Sequence, residues 1–197
     1  MRRTTFVFTC SLALVACGLT AQAQEPADVL KVDYFVNANT SGAPDGTVQL
    51  TNPGTAGGNV CASIFVFDPA QELSECCGCL LTPDGLRTLS VNTDLTKNPL
   101  TGVTLTSGVI KVVSTAPVAG VCPLPTAMKP VAALRSWSTH ILSSGSSTTG
   151  AAATFAITET ASQDATLSAA ELARLNSECR GIRVGSGQGV CTCGTGD

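Results

Sequence analysis

The sequence predicts an all-β fold: a disulfide-stabilised β-sandwich of about eight strands, immunoglobulin-like topologies included, followed by one C-terminal helix. Three observations predict it. Charged residues make up only 13% of the chain, while Thr, Ser, Gly, Ala and Val are abundant. That balance suits a β domain with small and β-branched side chains better than a helical enzyme. Short β-branched stretches recur between Gly, Pro, Asn and Asp turn signals. Eight cysteines fall between residue 61 and the C-terminus, in a chain that opens like an exported protein.

The opening is Met1-Arg2-Arg3, an apolar run from Phe6 to about Leu19, and Ala21-Gln22-Ala23. Positive charge, a short apolar core and an A-x-A site are the layout of a secretory signal peptide, residues 1–23. Cleavage after Ala23 leaves residues 24–197 as one domain, long enough for a sizeable core. A competing signal overlaps it. Leu14-Val15-Ala16-Cys17 has the form of a lipoprotein box, which would make a lipidated Cys17 the mature N-terminus. No later stretch is long and apolar enough to span a bilayer as a helix.

Along the mature chain, residues 29–36 read as a first strand, with Leu30, Val32, Tyr34 and Val36 on one face and Lys31 and Asp33 on the other. Residues 47–51 make a second, ended by Asn52-Pro53-Gly54. Residues 60–67 are apolar on both parities, the mark of a central strand covered on both sides. Asp68-Pro69 ends it. Pro83-Asp84-Gly85 is a turn in which proline presets φ and glycine accepts positive φ. Strands are expected at 86–91, 109–114, 134–142 and 153–158, with a loop over 92–102 and an irregular crossover over 116–130. Ser168-Ala-Ala-Glu171 opens the one helix with capping-box spacing. Ala169, Leu172, Leu175 and Cys179 form its apolar stripe, Glu171, Arg174 and Glu178 can pair on the other side, and Gly181 is the expected stop.

Removing the leader leaves Cys61, Cys76, Cys77, Cys79, Cys122, Cys179, Cys191 and Cys193. An even count in an exported chain reads as a disulfide framework. Cys76 and Cys77 are adjacent and point to opposite faces of an extended chain, so each bonds elsewhere. Cys77 and Cys79 share a face, as do Cys191 and Cys193. Two antiparallel segments would join them as Cys77–Cys193 and Cys79–Cys191, leaving Cys61, Cys76, Cys122 and Cys179 to pair among themselves. Local alternatives stay open, including Cys191–Cys193. A zinc cluster fits less well, because the gaps in Cys-Cys-Gly-Cys and Cys-Thr-Cys are shorter than the usual ligand spacing.

Catalytic signatures are sparse. His140 is the only histidine, so any Ser-His-Asp or Cys-His chemistry would run through it. No nucleophile elbow accompanies it. On a strand it shares a face with Ser138 and Leu142, opposite Trp137 and Ile141. Glu72, Glu75, Asp84 and Asp94 are candidate carboxylates for glycoside hydrolysis, but their spacing selects no pair. Gly185-Ser-Gly-Gln-Gly189 neither follows a parallel strand nor opens a helix, so it is no phosphate loop. Cys76 and Cys79 have redox-motif spacing, yet Cys77 intervenes and the context is all-β. Without Arg2 and Arg3 the chain has nine basic residues against fourteen acidic. That argues against nucleic acid or an anionic membrane as a partner, because both need a basic surface.

The pattern Cys61-x-x-Ile64-x-Val66-Phe67-Asp68, then Gln71-Glu72, Cys76-Cys77-x-Cys79, Thr82-Pro83-x-Gly85-Leu86, Arg135-x-Trp137-x-Thr139-His140 and the glycine-rich Cys191-x-Cys193 end resembles a group of uncharacterised bacterial secreted cysteine-rich proteins. The resemblance implies an exported protein with structural cysteines. It carries no activity, so no functional residue transfers.

The expectation is a non-enzymatic protein of the cell envelope or extracellular space, structural or adhesive, with no cofactor and no bound metal. The alternative is a small-ligand or carbohydrate-binding module. A secreted hydrolase comes third. The expected partner is a protein, a glycan or another copy of the chain. The location is secreted, cell-surface or periplasmic, or the outer membrane if Cys17 is lipidated.

Overall fold

The computed structural model describes residues 29–98, 102–122, 127–145, 153–184, 191–193 and 195–196. The leader, Cys17 and Gly185–Gly189 lie outside them. The described residues form two antiparallel sheets and one helix. The strands are β1 (Leu30–Phe35), β2 (Thr47–Thr51), β3 (Val60–Phe67), β4 (Leu73–Leu81), β5 (Leu86–Ser90), β6 (Gly108–Thr115), β7 (Arg135–Ser143), β8 (Phe155–Ala161), β9 (Gln163–Ala165) and β10 (Thr195–Gly196), with α1 at Ala169–Val184. One sheet has the order β4-β3-β6-β1-β9, the other β10-β5-β2-β7-β8.

Two apolar cores follow from this layering. Between the sheets, Val60, Ala62, Ile64 and Val66 of β3 meet Val48, Leu50 and Leu89 of the facing sheet. On the outer side of the first sheet, Phe65, Phe67, Cys76 and Val113 are covered by Leu175 and Cys179 of α1. This is why β3 is buried at all eight positions. It has a sheet on one face and a helix on the other.

β1 departs from the expected pattern. Lys31 and Phe35 are buried, while Tyr34 is exposed. Leu30 belongs to the core beneath the helix. The turn at residues 82–85 also differs. The positive φ falls on Asp84, at 61°, not on Gly85. Aspartate tolerates this region because its short polar side chain satisfies the local backbone. Asn52 fixes the turn from the neighbouring corner: Asp84 N–H donates to Asn52 O at 2.8 Å. The expected loop after β5 begins as a π-helical turn, Val91–Leu95. Ser90 Oγ caps it by accepting from Thr93 N–H at 2.9 Å.

In α1, Ser168 Oγ accepts from Glu171 N–H at 3.1 Å, the first half of a capping box. The reciprocal half is missing, because Glu171 turns to Arg174 and to Lys111 of β6. These cations hold the Glu171 carboxyl at about 2, the Arg174 hydrogen bonds contributing most. Arg174 also pairs with Glu178 at 3.0 Å. Ala169 is exposed, so the buried stripe starts later than expected. The helix runs past Gly181 to Val184.

Four disulfides join these elements. Cys61–Cys122 ties β3 to the crossover, and Cys76–Cys179 ties β4 to α1. Cys77–Cys191 and Cys79–Cys193 hold the tail, with Cα separations of 5.2 and 5.4 Å. The tail is stapled to the Cys76–Cys79 stretch, but in the opposite register to the expected Cys77–Cys193 and Cys79–Cys191. The cause is β10, which pairs antiparallel with β5. β4 and β5 are joined by a short turn and run in opposite directions in different sheets. A tail antiparallel to β5 therefore runs parallel to β4, and lower-numbered cysteine meets lower-numbered cysteine.

Candidate functional site

The chemistry-bearing side chains gather where the chain leaves β8 for β9. Ser162 sits between the two strands, so the backbone crosses there from one sheet to the other. Its hydroxyl donates to Asp33 Oδ2 of β1 at 2.8 Å and lies 2.9 Å from Ser136 Oγ of β7. Asp33 Oδ1 accepts from Tyr34 N–H at 2.8 Å and stands 3.5 Å from His140 Nε2. The same Nε2 is 2.8 Å from Thr160 Oγ1 of β8. Tyr34 stacks on the imidazole, ring centroids 4.4 Å apart.

Histidine, carboxylate and serines thus share one corner, yet they do not form a relay. A catalytic triad places the acid on one imidazole nitrogen and the nucleophile on the other. Here Asp33 and Thr160 both address Nε2. Nδ1 is buried and has no hydrogen-bond partner among the described residues, and neither has the Ser138 hydroxyl. The His140 and Asp33 side chains are 4% and 8% exposed. The network ties β1, β7, β8 and Ser162 together. Ser136, Ser138 and His140 do share the buried face of β7, as strand alternation requires, with Trp137 on the other.

Beside this network lies a cleft of about 240 Å³, lined by Lys31, Arg135, Ser136, Trp137, Ala161, Ser162 and Asp164. Four strand regions supply it, β1, β7, β8 and β9. Lys31 is buried and forms an ion pair with Asp164, whose own carboxylate is half exposed. A buried ammonium is tolerable only with such a partner. Trp137, the only tryptophan in the chain, is half-buried on the outward face of β7. Its cross-strand neighbour on β8 is Ala161, which leaves room over the indole.

The candidate carboxylates go to separate places. Glu72 is exposed after the β3 turn, and Asp84 is exposed at the β4–β5 turn. Asp94 accepts from Ser90 N–H at 2.7 Å and from Thr192 Oγ1 at 2.6 Å, so it holds the tail. Glu75 lies on β4 opposite Val66, inside the sandwich, and is 1% exposed. Its Oε1 has no partner among the described residues, and burial raises its carboxyl to about 7. Nothing in the sequence distinguished this glutamate from a surface one, because its neighbour Ser74 is only half-buried and the alternation there is blurred by the bulge at Val66/Phe67.

Cys77, Cys79 and Cys193 have their sulfurs within 4.8 Å of one another, a spacing that a metal could use. All three are spent in disulfides. A disulfide sulfur lacks the thiolate charge that makes cysteine a ligand. Comparison with protein-family models, with curated proteins and with solved structures gives no match.

Proposed function

We propose that the chain is a non-enzymatic exported protein of the cell envelope or extracellular space, with a structural or adhesive role. The observation that carries the proposal is β8. This seven-residue strand ends its sheet, and six of its residues, Ala156 to Ala161, are exposed whichever way they point. Ile157 is 60% exposed. Edge strands are ordinarily guarded by lysine, proline or a bulge. β8 carries one charge, Glu159, and no proline. Such an edge supports association by strand addition. The four disulfides support an extracytoplasmic location. No helix of the described residues is long and apolar enough to cross a membrane.

Sedimentation of the mature oxidised protein tests the proposal. Wild type associates as concentration rises, and Ile157→Lys, which places a charge on the edge, stays monomeric. Hydrolysis of an ester, peptide or glycan that is lost in His140→Ala would overturn the non-enzymatic reading. A second reading, a small-ligand or carbohydrate-binding module, is favoured by Trp137 and Asp164 sharing a concave surface.

A further inference from the structure

We infer that the cleft beside Trp137 binds one ring of a neutral carbohydrate; this rests on the second reading above. The indole supplies the platform. Its π face is electron-rich, and the C–H face of a pyranose ring presents weakly positive hydrogens to it. Ala161, directly across from Trp137, is small enough to leave that face open to a ligand.

The polar lining sets the ligand class. Lys31 and Arg135 donate, and the half-exposed Asp164 carboxylate accepts. Ser162 gives its one proton to Asp33 and so can only accept, while the Ser136 hydroxyl can donate or accept. A simple anion would use the cations and meet Asp164 as a like charge. A simple cation would meet Lys31 and Arg135. A polyhydroxylated neutral ring uses donors and acceptors together, each hydroxyl giving one hydrogen bond and receiving another. The volume fits a single ring: about 240 Å³ lies below the roughly 300–1,000 Å³ that encloses a drug-sized ligand. The site is built, not incidental. Lys31 and Ser136 are 2% and 5% exposed, and the Ser162–Asp33 hydrogen bond fixes the corner behind them.

Two other hollows are poorer candidates. The groove lined by Thr47, Thr88, Ser90 and Asp94 has no aromatic face. The hollow at the start of α1 is lined mainly by apolar groups, including Val29, Leu167 and Leu172.

With one tryptophan in the chain, tryptophan fluorescence, excited where Tyr34 does not absorb, reports on this cleft. The mature oxidised protein is titrated with glucose, galactose and N-acetylglucosamine, with glycerol as control and citrate as an anionic probe. At least one neutral sugar gives a saturable millimolar change, and glycerol gives none. Ala161→Phe fills the space over the indole from an exposed edge position. It weakens that binding by roughly tenfold or more, equivalent to about 1.4 kcal/mol, without moving the unfolding midpoint. A saturable response to citrate alone, abolished by Ala161→Phe, would overturn the sugar assignment and leave the small-ligand reading standing. No saturable response to any probe would overturn both.

Discussion

At the scale of single residues, two glutamates give the protein an unusual pH profile. Glu75 is raised to about 7 by burial, from an ordinary value of 4.5. Between those values the folded state binds a proton that the unfolded state has released, so its contribution to stability falls as pH rises. The full change corresponds to about 3 kcal/mol above pH 7, as an upper figure. Glu171 acts in the opposite direction. Its carboxyl sits at about 2 because of Arg174 and Lys111, so its contribution is present above 4.5 and is lost as pH falls toward 2. It is partly exposed, and screening reduces its worth to about 1 kcal/mol or less. From these two groups stability peaks near pH 4–5. Thermal melts across pH check this. Glu75→Gln should flatten the limb between pH 4.5 and 7 and raise the midpoint at pH 8. A Gln variant that melts lower than wild type at pH 8 would show that the carboxylate is held by interactions the burial argument lacks. Another close fit is Gly108: an added Cβ would collide with the Phe67 carbonyl oxygen, so the start of β6 admits no side chain.

At the scale of elements, much was legible in the sequence, and the failures share a cause. The β3 pattern identified a strand covered on both faces, and the spacing of Leu175 and Cys179 pointed that helix face inward. Those signals are local periodicities. β4 was harder, because Cys76, Cys77 and Cys79 blur the alternation, and β9 and β10 are too short to show one. The register of the tail lay outside any local pattern. It depends on β10 choosing β5, a partner about a hundred residues earlier. The cleft was invisible for the same reason, since Lys31, Trp137 and Asp164 meet only through the pairing of distant strands. The Cys76–Cys179 bridge belongs at this scale. It spans 103 residues, a separation worth about 4–5 kcal/mol in the chain-entropy model. Replacing both cysteines by serine loosens α1 from Phe65 and Phe67 and should lower the melting midpoint by about 8–20 °C. A shift of a degree or two would mean that packing alone seats the helix.

At the scale of the whole molecule, the two open sides of the sandwich are closed by different means. On one side the chain itself crosses from β8 through Ser162 to β9, and hydrogen bonds to Asp33 and Ser136 hold the corner. On the other, the tail lies between β4 and β5, bonded to the first by two disulfides and paired with the second through β10. Asp94 and Thr192 add hydrogen bonds at the same seam. Closing the sandwich covalently at its last residues leaves β8 as the long exposed edge, which is where the proposed association is placed.

The disulfide seam is the central claim, and tryptic mapping without reductant tests it most directly. No lysine or arginine separates Cys61, Cys76, Cys77 and Cys79, whereas Arg180 and Arg183 divide Cys179 from Cys191. The account predicts one cross-linked species. In it the peptide of residues 32–87 carries three others: residues 112–135 through Cys122, since Pro130 protects the bond after Lys129, 175–180 through Cys179, and the tail through Cys191 and Cys193. Partial reduction should then yield Cys77–Cys191 and Cys79–Cys193. A tail peptide that migrates free of residues 32–87, closed on itself as Cys191–Cys193, would contradict the account.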